Sequence, residues 1–433
     1  MKKLYLYLFL EICVFGNDIS FENIKHSAHE NSHRLSIRSI DTKIEEARLE
    51  NVYSTLYPQL SFGYNSEYNR NLDSTSTGSI SVGETTINST VRHKDSLSLR
   101  MNYELYHFGT TLKQIEMSKN EIAAKKLEVC NEETKLHLEI LDRYAQAQKA
   151  QNEQRFKKSM HTLRKELYFY KQRLYTAGKE TRVSVGDEAI RLIDLEHDIE
   201  RSLMTYEENL IALSKLSHVE LDLKETQLLS LATKADEIHL RSFENNSQAR
   251  QYQEKMDEKN AEISMNERSQ LPVVSLYSNY YLYGSDPHNA YDAFKSIQPN
   301  SWNAGLSVRW NLFEGFKYNS ESARLHLERN RIDEEYALAK REYDSQTKTK
   351  QEHLNRLAML TKNEIEALTE TRTKITMTGR LRAGGEADAV SEVSVKLEGL
   401  EREMALENEM IQQAYEAESL KLQHAGAQEC TAH

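Results

Sequence analysis

The stretch Leu97-Ser98-Leu99-Arg100-Met101-Asn102-Tyr103-Glu104-Leu105-Tyr106-His107-Phe108-Gly109 decides the fold. Leu97, Leu99, Met101, Tyr103 and Leu105 alternate with Ser98, Arg100, Asn102 and Glu104, so an extended chain here has one apolar and one polar face. Beyond Gly109 the period changes. No proline or glycine follows until Gly178, and Phe156, Met160, Leu163, Leu167, Tyr170 and Leu174 step by four and three, the spacing of a coiled-coil seam. At 1.5 Å per residue, roughly 65 helical residues would span about 100 Å. A strand that feeds directly into so long a helix is the unit from which the rest of the chain can be read.

That unit occurs twice. Tyr57-Pro58-Gln59-Leu60-Ser61-Phe62 is answered by Leu271-Pro272-Val273-Val274-Ser275-Leu276, and Leu105 to Gly109 by Leu312-Phe313-Glu314-Gly315-Phe316. Tyr175-Thr176-Ala177-Gly178 is answered by Leu381-Arg382-Ala383-Gly384. Three landmarks recur in one order at a nearly constant spacing of roughly 206 to 214 residues, the mark of a duplication. Leu60, Phe62, Tyr64 and Tyr68 form a further alternating set, as do Val274, Leu276, Tyr280 and Leu282, and Trp302, Ala304, Leu306, Val308, Trp310 and Leu312. The reading gives strands over residues 60–71, 96–107, 272–284 and 302–313, with the linkers Leu72 to Asp95 and Ser285 to Ser301 as hairpin loops rich in Ser, Thr, Gly or Asn. Helical stripes resume after each tip: Leu192, Leu195, Ile199, Leu203, Tyr206, Leu210 and Leu213, then Val393, Leu397, Leu400, Met404 and Ile411. Each copy, 17–225 and 226–425, is thus a β-hairpin continued by a long helical hairpin turning near 178 or 384, with 426–433 as a tail.

Composition agrees. The 433 residues include only 4 Pro and 15 Gly, and 28% are charged against 39% hydrophobic, as suits long solvated helices rather than a loop-rich enzyme. A net charge of −11 gives no basic surface for phosphates and argues against nucleic acid as a partner. Mean hydropathy is −0.71. No apolar run reaches the ~20 residues of a spanning helix, which leaves a membrane β-barrel open because its strands alternate. Residues 1–16, with Lys2 and Lys3, the apolar run Leu4 to Leu10 and Gly16, are expected to be a signal peptide cleaved after Gly16, although Glu11 interrupts the apolar part. A disordered cytosolic N-terminus is the alternative. Cys13, Cys130 and Cys430 make neither a disulfide framework nor a zinc set.

Four amphipathic strands are too few for a closed barrel, and left alone they expose two edges and an apolar face. Pooling chains removes both problems: two give eight strands and three give twelve, and polar faces of Asn, Ser, Arg and Glu suit a wet lumen and so favour the larger barrel. Tyrosines 57, 64, 68, 103, 106, 277, 280, 281 and 283 lie at or near the strands, as both tryptophans do, which suits bilayer interfaces better than a soluble sandwich. The expected fold class is mainly α with membrane β, in two tandem β-hairpin/long helical-hairpin repeats. Leu99, Met101, Val308 and Trp310 are the expected lipid-facing strand residues.

With these landmarks the chain resembles the TolC-like outer-membrane efflux proteins. Leu105 to Gly109 and Leu312 to Gly315 are similar to the family's strand–helix junctions, centred on Gly109 and Gly315, and Tyr175, Gly178, Leu381 and Gly384 mark its hairpin tips. The resemblance implies a homotrimer, a trimeric 12-stranded β-barrel in the outer membrane continued by an α-helical barrel across the periplasm, without cofactors. It would be a passive exit duct for small molecules delivered by an inner-membrane pump and a periplasmic adaptor (membrane fusion) protein docked at the tips. Two alternatives stand beside it: an exit duct for type I protein secretion, and a soluble periplasmic coiled-coil protein.

No catalytic motif is present in the sequence. His26, His29 and His33 share one face if the segment is a single helix, and are read as a solvated face because no carboxylate or cysteine completes a ligand set. His107 is read as local structure at the junction. Asp187 and Glu392 follow the two tips and would make three-fold acidic rings that constrict the pore and select cations. Some relatives latch the tip with Tyr, Arg and Asp, where this chain has Leu381, Glu386 and Ser184.

Overall fold

The computed structural model describes residues 18–69, 80–82, 85–87, 92–222, 226–231 and 240–424. The expected signal peptide, Cys13, the tail 426–433 with Cys430, and residues 70–71 of the first expected strand lie outside them. The chain is mainly helical with a small sheet. In order, the elements are β1 (Asp18–Ile19), α1 (Phe21–Asn31), α2 (His33–Ser54), β2 (Gln59–Tyr68), β3 (Ile80–Val82), β4 (Thr85–Ile87), β5 (His93–Tyr106), α3 (Thr110–Thr176) and α4 (Arg182–Ser217). There follow β6 (Gln227–Leu228), α5 (Ser247–Ser269), β7 (Val273–Asp286), α6 (Ala290–Lys295), β8 (Gln298–Arg309), α7 (Lys317–Ala383) and α8 (Ala389–Gln423).

Two compact units are distinguishable, and neither is one of the sequence copies. One comprises residues 41–125 and 251–335 and holds an antiparallel sheet ordered β2-β5-β7-β8. The central pairing of β5 with β7 joins a strand of each copy, with Leu99 opposite Tyr280 and Met101 opposite Ser278. β2 and β8 are the edges. Strands of 10 to 14 residues are long enough for the 9–11 residues of a tilted membrane strand.

The fourth strand departs from its expected bounds. It begins at Gln298 and ends at Arg309, so Trp310, Leu312 and Phe313 lie beyond it. Arg309 is opposite Val273, the first residue of β7, and Pro272 before it has no N–H to extend the ladder. Trp310 instead donates its indole N–H to the Gln270 carbonyl at 3.0 Å. The expected loop between β7 and β8 contains helix α6, capped by the Asn289 side chain, which accepts the Asp292 N–H at 2.7 Å.

The other unit, residues 18–40, 126–250 and 336–424 of those described, has its core around Tyr144, Ile24, Leu136, Ile140, Leu210 and Leu213. The parallel pair β1–β6 leaves two carbonyls facing this core, and the Tyr144 hydroxyl donates within reach of both, Ile19 at 2.9 Å and Leu229 at 2.6 Å. Burial raises the Tyr144 pKa well above that of a free phenol and pushes Tyr206 up to about 12, so both remain donors. A second cluster joins Phe156, Met160 and Leu167 of α3, Leu195 of α4, and Val393 and Leu397 of α8. The heptad stripes read from the sequence are the residues that meet there.

Candidate functional site

Register fixes which strand residues share a face, since directly paired residues lie on the same side of a sheet. Leu60, Phe62 and Tyr64 pair with Met101, Leu99 and Leu97. Leu97 and Leu99 then pair with Leu282 and Tyr280, and Val274, Leu276, Ser278 and Tyr280 with Val308, Leu306, Ala304 and Trp302. One nearly unbroken apolar face therefore crosses all four strands. It is largely uncovered: Phe62 is 70% exposed, Val308 68% and Trp302 74%. Leu99 is exposed on this face and Met101 is half-buried. Of the four expected lipid-facing residues, only Trp310 lies off the strand.

The opposite face carries Ser61, Arg100, Asn102, Asn279, Asn303 and Ser307, with Asn279 donating to Asn303 at 2.8 Å. At one end of the apolar face α6 folds over it. There Phe294 meets Tyr64 edge-on at 6.1 Å, and the buried Asp95 accepts the Tyr64 hydroxyl at 2.9 Å.

Both strand–helix junctions use left-handed backbone. Phe108 and Gly109 have φ of 47° and 77°, Gly315 and Phe316 62° and 65°. The Arg268 guanidinium donates to the Gly109 carbonyl at 3.2 Å, and His107 contacts Glu104 at 3.2 Å.

The tips end in the same hydrogen-bond pattern. At the first, Gly178 N–H donates to Tyr175 at 2.9 Å and Lys179 N–H to Leu174 at 2.9 Å. At the second, Gly385 N–H donates to Arg382 at 3.0 Å and Glu386 N–H to Leu381 at 2.9 Å. These paired bonds close a helix on a left-handed residue, and φ is 72° at Gly178 and 78° at Gly385. The turn glycine of the second tip is Gly385, one residue after the expected Gly384, which takes the place of Ala177. Thr181 and Asp388 then cap α4 and α8 through the Ser184 and Ser391 N–H groups.

This alignment also places the two carboxylates. Asp187 corresponds to Ser394 and Glu392 to Val185, so the two are not equivalent. Asp187 is exposed and forms no ion pair among the described residues. Glu392 is held between Lys396, at 2.6 Å, and Arg382, and these cations lower its pKa. The residue that sequence reasoning missed is Glu188. Its side chain is 1% exposed and meets Arg164 at 3.2 Å and Lys171 at 3.0 Å. Lys171 stands seven residues before the turn glycine and Glu188 ten after it, so their pairing becomes legible only once the hairpin register is known.

The latch positions behave as ordinary tip residues here. Leu381 supplies a turn carbonyl, Glu386 follows the turn glycine, and Ser184 serves the Thr181 cap. The expected histidine face is interrupted, because α1 ends at Asn31 and α2 begins at His33. His33 stacks edge-on with His218, His26 lies 3.5 Å from Glu30, and His29 reaches Glu133 of α3 at 2.8 Å. A carboxylate thus does meet His29, from a part of the chain about a hundred residues away.

Residues 26–217 match the outer membrane efflux protein family. Curated protein sequences give no match. Among solved structures, the outer-membrane channel OprN superposes with a TM-score of 0.76 at 15% identity, covering 94% of this chain and 90% of its own. The outer membrane protein VceC of Vibrio cholerae gives 0.75 at 12% identity, with 92% and 94% covered. The Campylobacter jejuni CmeC outer membrane channel gives 0.73 at 13% identity, with 95% and 88% covered.

Proposed function

We propose that this chain is a TolC-like outer membrane efflux protein, the outer-membrane exit duct of a tripartite efflux system, a reading supported by the family match over residues 26–217 and the shared fold. Three copies would close their four-stranded sheets into one twelve-stranded barrel, and their helices would continue as a tunnel through the periplasm. An inner-membrane pump and a periplasmic adaptor would deliver small molecules to the helical tips, and passage through the duct itself would be passive.

The observation that carries this reading is the sheet. Its edges, β2 and β8, have no strand partner among the described residues, and its apolar face is largely uncovered away from the end beneath α6. Copies joined edge to edge satisfy the edges, and lipid covers the face. At the periplasmic mouth Asp187 is the better candidate for a constricting ring, because Glu392 already serves two cations.

Arginine scanning tests the facing. Leu99→Arg and Val308→Arg place a cation on the lipid side at a cost of about 2–4 kcal/mol near mid-depth, and should abolish membrane-inserted trimer. Ser98→Arg and Ser307→Arg, on the lumen side, should still assemble. Native mass spectrometry of detergent extracts reads both. Equal behaviour of the two pairs, or wild-type protein that is monomeric, would refute the barrel.

A further inference from the structure

The geometry points to a binding site for a divalent transition-metal cation of the zinc type, built from His29 of α1 and Glu133 and His137 of α3. One ligand atom from each residue lies within 4.8 Å of the other two. His29 Nδ1 is 2.8 Å from Glu133 Oε1, and His137 Nε2 is 3.9 Å from the same oxygen. Ligands at about 2.0–2.1 Å around a tetrahedral zinc are separated by roughly 3.3 Å, so the two spacings bracket what the ion needs.

The chemistry of the donors agrees. Two imidazoles and one carboxylate with a remaining open position are a borderline-soft set that suits zinc better than calcium or magnesium, which prefer oxygen. Glu133 and His137 are four residues apart on one helix, so both point the same way. His137 Nε2 is buried without a hydrogen-bond partner, at 3.9 Å too far from Glu133 to bond. Among the described residues, Lys25 is a cation that opposes the site. Its ammonium is engaged by Glu22 at 2.6 Å, which offsets that charge locally.

A bound ion would tie the short N-terminal helix to α3 through three side chains. The test uses full-length, tag-free, chelator-treated protein in detergent, titrated calorimetrically with zinc chloride. One ion per chain is expected, with affinity at least tenfold weaker in His29→Ala and in His137→Ala. His33→Ala, which alters the histidine facing His218, should bind as wild type. Cobalt(II) supplies a second readout: an intense tetrahedral visible band that both ligand variants lose. His29 is partly exposed on a short helix, so its alanine variant should fold normally, as circular dichroism would verify. Absence of saturable zinc uptake by the wild type overturns the site. So does unchanged affinity in both variants.

Discussion

Across the first helical hairpin, Glu188 is enclosed by Arg164 and Lys171; at the same distances from the second tip stand Val395, Thr371 and Thr378. The two hairpins share a backbone plan, from the left-handed glycine to the capped returning helix, yet stabilise it differently. The first buries a carboxylate whose two cations are 20% and 14% exposed. The second buries Thr371 and Val395, brings α8 close at Gly399, and carries no charge at the three corresponding positions. A Cβ on Gly399 would stand 2.8 Å from Ile375 Cδ1. Its ion pairs, Lys374–Glu398 at 2.7 Å and Arg372–Glu403 at 2.9 Å, are well solvated. A buried charge is costly unless each partner is in place, whereas apolar packing tolerates adjustment. The first hairpin is therefore the more exacting in register and the more vulnerable to a single change.

The largest expected effect follows directly. Glu188→Ala strands two partly buried cations, and removal of one partner from a buried pair costs about 3–5 kcal/mol. Because Arg164 and Lys171 retain some access to water, the lower end of that range is expected. Amide hydrogen exchange along 160–195 should accelerate, with little change along 370–405. Copying the second hairpin into the first, Glu188→Val with Arg164→Thr and Lys171→Thr, should recover most of the lost protection. A triple variant as damaged as Glu188→Ala would show that the charges are not what distinguishes the two.

Next in size are the turn glycines. Gly385→Ala places a Cβ on a left-handed residue, at a cost of about 1–2 kcal/mol. Gly384→Ala should be neutral or stabilising by several tenths of a kcal/mol, because Gly384 has no positive φ and its Cβ would meet nothing closer than 3.5 Å. Gly178→Ala should resemble Gly385→Ala, and limited proteolysis at the tips orders the three. Equal damage at 384 and 385 would break the alignment of the two tips.

How far the sequence could be read depended on the range of the contact concerned. Alternation and heptads are local, so the strands, the long helices and the stripes at Phe156, Met160 and Leu167 were legible before any coordinates. The end of β8 was not, because it is set by Pro272 on the neighbouring strand rather than by the continuing alternation through Leu312. At the second tip two adjacent glycines left the turn ambiguous by one residue, and only the hydrogen bonds of the turn place it at Gly385. Glu188 and the meeting of His29 with Glu133 are tertiary facts, invisible until hairpin register and helix packing are known.

The caps offer a smaller contrast, and one that pH can separate. Thr181→Ala and Asp388→Ala should each cost about 1 kcal/mol. Only the second cap titrates: the Ser391 side chain and N–H hold the Asp388 pKa below its ordinary value. A depressed carboxyl pKa contributes stability above the unfolded-state value of about 3.9 and loses it as pH falls through the depressed one. Protection at the start of α8 should thus decline below about pH 4 in wild type but not in Asp388→Ser, while α4 shows no such difference. Equal acid sensitivity of the two helix starts would remove the distinction.

The smallest effect tests whether charges outside the second hairpin matter at all. Lys374–Glu398 and Arg372–Glu403 join α7 to α8 across solvent, where an ion pair is worth about 0–1 kcal/mol because water screens the attraction and ordering two long side chains opposes it. The combined variant Glu398→Gln with Glu403→Gln should lower protection of α8 only slightly at low salt. In 1 M salt, where screening acts within about 3 Å, it should match the wild type. Under the same conditions Glu188→Ala should keep nearly all of its effect, since a buried triad is shielded from counterions. If the exposed pair of substitutions destabilised the second hairpin as much as Glu188→Ala destabilises the first, both would be held by charge. The packing of Thr371, Ile375, Val395 and Gly399 would then be secondary.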